Sequence, residues 1–304
     1  MLRVLCTVLV VAVLPATPAA QKQVITVDVD LVNIYFTVCN NRGRLVTNLD
    51  QANFAVYEDN SPQVITHFSR ETNVPLKLVL LIDTSGSVRY KLPFEQDVAV
   101  EFLNSTLRPV DQASVVTFDS RIEVRQDYTG DRQVLASTVR RTRSGGATRL
   151  YDALSFLLNG TLAGGDGRQA IILLTDGGDN ASQSSPVEVL ETAQRDNVAI
   201  YIVSVNSIGI PSDESNDRDS ILEILGTETG GKAFFPKRLK DLSSQLAEIS
   251  KELRSQYTIA YRSTNDKRDG RYRKIRIDVK NTEYSVHARS GYYAPTLVTA
   301  RGAE

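Results

Sequence analysis

The chain has 304 residues, 41% of them hydrophobic, enough for two domains or one large α/β domain with a real core. Its 35 basic and 36 acidic residues are scattered and leave a net charge of −1, so no polybasic patch offers itself to nucleic acid or anionic lipid. Of its two cysteines Cys6 falls in the leader described next, and Cys39 with two histidines is too little for a thiolate zinc site.

Arg3, the apolar run Val4 to Leu14 and "PATPAAQ" read as the n-region, h-region and small-residue cleavage zone of a signal peptide over residues 1–20. Cleavage is expected near Ala19 or Ala20; an uncleaved anchor is the alternative. The run is too short to span a bilayer, and no later apolar segment is longer. The expectation is a protein in the secreted or periplasmic, cell-envelope space with no integral membrane segment after cleavage. Cleavage removes Cys6 and leaves Cys39 alone, so no intrachain disulfide is expected and Cys39 reads as a strand residue.

Residues 21–75 read as a β segment. "VITVDVDLVNIYFTV" alternates or runs apolar, and "NFAVYEDNSPQVITHFSR" supplies two short strands around a turn at Asp59-Asn60-Ser61-Pro62. From 76 to 252 the rhythm changes to apolar strands alternating with segments of helical period. Strands are expected at "LKLVLLID" (76–83), "ASVVTFD" (113–119), "RQAIILLTDG" (168–177), "VAIYIVSV" (198–205) and "KAFF" (232–235), with "RIEVRQDYT" as a hairpin partner to the second. Between them, helices are expected over 90–106, from an Asp131 N-cap, from Thr148, over "PVEVLETAQRDN", over "DSILEILGTET" (219–229) and over 239–256.

Fully apolar strands separated by helices predict a doubly wound, mainly parallel sheet covered on both faces. Residues 253–304 return to alternation in "YTIAYRS", "RYRKIRIDVK" and "YSVHARSGYY". Neither β piece has enough strands to stand alone, so 253–304 is expected to pair with 21–75 into a smaller β domain that carries the α/β domain as an insertion. Two separate β modules is the rival arrangement.

Three polar islands interrupt the α/β pattern: Asp83-x-Ser85-x-Ser87, then "GGAT" ending in Thr148, then "TDGGDN" with Asp176. Each alone reads equally well as a turn or a helix cap. Together they place carboxylates and hydroxyls beyond strand ends, where doubly wound sheets bind ligands. Such hard oxygen donors suit Mg²⁺ rather than a thiolate-seeking metal, and Mg²⁺ keeps some of its waters. Asp119, Asp152 and Asp179 lie nearby and read as solvated or structural, Asp119 being the best placed to support the site. Asn180-Ala-Ser182 fits the N-glycosylation pattern, a short motif that arises often by chance.

Enzyme readings fit poorly. "DTSGS" puts Ser85 where an acid protease turn needs glycine, and no second Asp-Thr-Gly occurs. It is not the G-x-S-x-G elbow of a hydrolase, and no phosphate-binding G-x-x-x-x-G-K is present.

In Asp83, Ser85, Ser87, Thr148 and Asp176 the chain resembles a von Willebrand factor type A (vWA) domain with its metal-ion-dependent adhesion site, and the flanks loosely resemble secreted bacterial vWA-related proteins. The resemblance implies Ser85 and Ser87 as direct ligands of Mg²⁺ (or Mn²⁺ or Ca²⁺), Thr148 as a ligand in the competent state, and Asp83 and Asp176 acting largely through water. It implies a non-enzymatic, cation-dependent adhesion module. That module captures a protein partner through an Asp or Glu the partner presents to the metal. The alternative is a structural scaffold or assembly subunit whose metal is only structural.

Overall fold

The computed structural model describes residues 31–70, 74–162, 168–206 and 213–296, without the side chains of 213–216. The expected signal peptide lies outside these residues. In chain order the elements are β1 (Leu31–Asn40), β2 (Phe54–Glu58), β3 (Ser61–Gln63), β4 (Ile65–Ser69), β5 (Leu76–Asp83), α1 (Leu92–Thr106), β6 (Gln112–Phe118), β7 (Ile122–Thr129), α2 (Arg132–Arg140) and α3 (Leu150–Phe156). They continue with β8 (Arg168–Thr175), α4 (Pro186–Asp196), β9 (Val198–Ser204), α5 (Asp213–Glu228), β10 (Ala233–Phe234), α6 (Asp241–Arg254), β11 (Tyr257–Arg262), β12 (Tyr272–Val279), β13 (Tyr284–Ala288) and β14 (Gly291–Tyr293).

The central sheet has the order β10-β9-β8-β5-β6-β7. Every pair in it is parallel except the β6–β7 hairpin. Both faces of β5 and β8 are covered, which is why these strands carry no alternation. Leu78, Leu80 and Ile82 pack with α1, α2 and α6, whereas Val79 and Leu81 pack with α3, α4 and α5. The chain lays down β5 first, moves to β6 on one side, then returns to β8 on the other. Strand order therefore reverses between β5 and β8, and that crevice is where ligands bind in open α/β sheets.

Local chemistry explains most element boundaries. Asp131 caps α2 by accepting from the Gln133 and Val134 amides. Ser185 and Glu188 form a capping box ahead of Pro186 at the start of α4. Asn197 closes the same helix in the left-handed conformation. Two expectations need correction. The fifth helix starts at Asp213 rather than Asp219; its polar first turns carry no apolar period from which a start could be read. The third helix starts at Leu150, and Thr148 does not cap it.

The flanks build two four-stranded antiparallel sheets, β13-β1-β11-β4 and β14-β12-β2-β3. Each contains strands from both ends of the chain: Ile34 lies opposite Ile259, and Val56 opposite Ile277. Their inner faces share one core of Ile34, Phe36, Phe54, Val56, Tyr257, Ile259, Tyr261 and Ile275 among others. Two stretches expected as single strands break and pass from one sheet to the other. Val64, 76% exposed, separates β3 from β4, and Arg289-Ser290 separates β13 from β14. The backbone then passes so close to β12 that a Cβ on Gly291 would lie 2.4 Å from the Arg273 carbonyl.

Candidate metal centre

Asp83 is the last residue of β5 and is fully buried. One carboxylate oxygen accepts from the Ser85 amide at 2.8 Å and the other from the Thr175 hydroxyl at 2.8 Å. The first bond folds the chain back on itself after the strand. The second ties β5 to β8 across the switch point. Each oxygen keeps a lone pair for a further partner.

Past Asp83 the chain makes a single 3₁₀ turn over Gly86–Val88. It sets the Ser85 and Ser87 hydroxyl oxygens 3.0 Å apart, so the i, i+2 spacing does bring two oxygens to one point. Ser85 is buried and Ser87 exposed.

The second loop is strapped to the first by backbone bonds: Gly145 donates to the Thr84 carbonyl at 2.7 Å, and Gly86 donates to the Gly146 carbonyl at 3.1 Å. Gly146 has φ +90°, and a Cβ there would lie 2.5 Å from the Ser120 hydroxyl oxygen. That hydroxyl already accepts from the Ala147 amide at 2.8 Å. The glycine is thus required twice, for its φ and for the approach to Ser120. Thr148 is held to the third loop. Its amide donates to the Asn180 side-chain oxygen at 3.0 Å, and its carbonyl accepts from the Asn180 and Ala181 amides. None of these bonds uses the Thr148 hydroxyl.

Asp176 follows β8 directly and is half-buried, accepting from the Gly178 amide at 3.2 Å. The Thr175 hydroxyl also accepts from the Gly177 amide, so Thr175 orients both the Asp83 carboxylate and the turn after Asp176. The structure thereby brings the loops carrying all five predicted residues to one rim of the sheet. The neighbouring acids divide as follows. Asp152 pairs with Arg149 and accepts from the Gln183 and Ser184 amides; Asp179 accepts from the Tyr151 and Ser182 amides. Both are structural. Asp119 accepts from the Thr84 hydroxyl at 3.3 Å and steadies the first loop.

Sequence reasoning missed Thr175, Ser120 and Glu95, and read Asn180 only as part of a glycosylation pattern. No local signal marks the first two, because their partners lie 92 and 27 residues away. Glu95, in the first turn of α1, is 1% exposed. Neither of its carboxylate oxygens has a hydrogen-bond partner among the described residues.

Burial pushes the Asp83 carboxyl up to about 6; the charge of Asp176 adds to the rise, and the bonds from Ser85 and Thr175 oppose it. Burial pushes Glu95 up to about 8, reinforced by Asp83 and Asp176 and opposed by Lys91. These are the surroundings a cation relieves. The donor types, carboxylates with a pair of hydroxyls 3.0 Å apart, are those a hard divalent ion takes. Among the described residues no three His, Cys, Asp or Glu side chains cluster closely enough to hold a metal by themselves.

Both raised carboxyls bind their proton more tightly folded than unfolded. Without metal, stability is therefore fully present below pH 4 and lost as pH rises through about 6 for Asp83 and about 8 for Glu95. The expected loss between pH 4 and 8 is on the order of a few kcal/mol. Urea midpoints of chelator-treated protein at pH 5 and pH 8 check this. Equal midpoints would show that neither carboxyl is desolvated as described.

The von Willebrand factor type A domain family matches residues 77–252, more than half of the chain. Among curated proteins, none matches by sequence. Proximal thread matrix protein 1 from the mussel byssus is similar in structure, with a TM-score of 0.52, 16% identity, and coverage of 65% of this chain and 51% of that one. A second structure of that mussel protein has a zinc-occupied MIDAS motif; it aligns with a TM-score of 0.51 and 18% identity over 64% of this chain and 49% of that one. BatB from Bacteroides thetaiotaomicron aligns with a TM-score of 0.45 and 16% identity, covering 58% of this chain and 99% of that one. The chain spans about half the length of the mussel protein. At these identities the likeness is one of fold. With the family's residues matched from the start of β5 to the end of α6, and with the doubly wound sheet they form, this chain belongs to the von Willebrand factor type A domain family.

Proposed function

We propose that the chain is a divalent-cation-dependent adhesion module rather than an enzyme. Ser85, Ser87 and Thr148 offer hydroxyl oxygens to Mg²⁺, with Mn²⁺ or Ca²⁺ as substitutes, while Asp83 and Asp176 act largely through water. With few charged direct ligands, the ion keeps its attraction for a further carboxylate, and an Asp or Glu of a protein partner supplies it. The observation that carries this reading is the Ser85–Ser87 hydroxyl pair, 3.0 Å apart, at the rim where β5 and β8 diverge. The zinc in the mussel protein's MIDAS motif supports a divalent ion at this place in the fold. No helix among the described residues is long and apolar enough to cross a membrane, and the signal-like first twenty residues support action in the secreted or cell-envelope space.

The test is capture of partners by immobilised protein from the source organism's envelope fraction, in Mg²⁺ and in chelator. Adhesion through the metal requires retention in Mg²⁺ and release in chelator. A partner held equally in both conditions would leave the ion a structural part of a scaffold.

A further inference from the structure

We infer that the cavity at the start of β8 is an anion site, in which the buried guanidiniums of Arg168 and Arg289 hold a single chloride ion between the flanking sheets and the central one.

The cavity lies at the opposite end of β8 from Asp176. Its volume is about 20 Å³, room for one water-sized particle, and Tyr35 of β1, Arg168 and Gln169 of β8 and Arg289 between β13 and β14 are among the residues lining it. Arg168 is 4% exposed and Arg289 6%. Among the described residues neither forms an ion pair. The charge of Asp111 reaches Arg168, but Asp111 is paired with Arg254, whose own charge opposes it there. The partners of the two arginines are carbonyls instead. Arg168 Nη2 donates to Leu253 near the end of α6; Arg289 donates from Nη1 to Gln194 at 3.0 Å and from Nη2 to Asn33 at 2.8 Å. A carbonyl satisfies a donor and leaves the charge in place.

The Arg289 Nε and the Gln169 side-chain oxygen are buried without a hydrogen-bond partner among the described residues. Both guanidinium charges act on the Tyr35 hydroxyl, which lines the same space, so the two charges converge on it. Burial pushes Arg289 down only to about 10, so it stays charged at neutral pH. A water molecule could take the free N–H, but it would leave two buried positive charges uncompensated, a costly condition. A chloride ion accepts from both arginines and from the Tyr35 hydroxyl, and the Gln169 amide can turn its NH₂ inwards to it. Phosphate, sulfate and carboxylate need more than one water-sized space.

The test is thermal melting of the full chain in NaCl and in sodium gluconate at equal ionic strength, together with a crystal structure from NaBr. Chloride is expected to raise the melting temperature saturably, by about 5 °C at a hundredfold excess over its Kd. Bromide should replace it, gluconate should not, and an anomalous bromide peak should lie in the cavity. Arg168→Met keeps the apolar stem and should lose the chloride-specific rise. Equal melting temperatures in chloride and gluconate overturn the inference, as does a folded Arg168→Met that keeps the full rise. If that variant does not fold, the bromide crystal decides: a cavity without an anomalous peak holds water, and the inference fails.

Discussion

Replacing Asp83 by alanine is expected to lower Mg²⁺ affinity about a hundredfold, the upper end of what loss of an outer-sphere partner does to a metal site, and to abolish metal-dependent partner capture. The reason is architectural as well as electrostatic. Asp83 holds the Ser85 amide and the Thr175 hydroxyl at once, so it shapes the loop that offers Ser85 and Ser87 and pins that loop to β8. Its removal leaves one amide and one hydroxyl without an acceptor, at roughly 1–3 kcal/mol each. It also removes a fully buried carboxylate whose charge burial disfavours. These two effects oppose each other, so the metal-free variant should melt close to the wild type. The contrast appears on adding metal. At a hundredfold excess over its Kd, Mg²⁺ stabilises the wild type by about 2.7 kcal/mol, and the variant should gain almost nothing. Thermal scans with and without MgCl₂ measure both quantities. A variant that still gains the full Mg²⁺ shift would remove Asp83 from the site.

Glu58→Ala is expected to destabilise the flanking β sheets by about 3–5 kcal/mol, the range for stripping one partner from a buried ion pair, and to lower the melting temperature by roughly 10 °C. Glu58 at the end of β2 is 2% exposed, and four donors converge on it. Tyr261 and Tyr292 each donate at 2.9 Å, Ser263 donates at 2.6 Å, and the Arg273 guanidinium lies at 3.5 Å. These donors come from β11, β14, the chain just after β11, and β12, so a residue of the N-terminal flank is the acceptor for much of the C-terminal one. Alanine would leave Arg273 buried beside two tyrosine hydroxyls that have lost their acceptor. Glu58→Gln, which keeps an acceptor oxygen, should lose clearly less. Urea unfolding of the three proteins ranks them. An alanine variant within about 1 kcal/mol of the wild type would show that the apolar core of these sheets carries the pairing alone.

Much of the fold is legible because its signals are local. The unbroken apolar runs of β5 and β8 announce strands buried on both faces. Asp131 and Ser185 mark helix starts through bonds made within three residues, and Pro186 through its fixed φ in the first turn. The flanks read as β from their alternation, and neither has strands enough to fold by itself. The features that were misplaced are those decided at longer range. Thr148 looks like a helix cap in sequence, but Asn180 takes its amide from 32 residues away. "YSVHARSGYY" alternates without a break, yet the chain changes sheet at Arg289-Ser290, where the Arg289 guanidinium bonds to the carbonyls of Asn33 and Gln194.

The three polar islands and the sheet edge that carries them are legible in the sequence, and the resemblance to the family names the five side chains proposed for the metal. What the tertiary structure alone decided is their support. Thr175 bridges two strands, and Ser120 fits under Gly146. The physical reason is that hydrophobic periodicity is a property of neighbours along the chain. A hydroxyl or carboxyl in a buried crevice instead takes its role from whatever the strand order β9-β8-β5-β6 lays beside it.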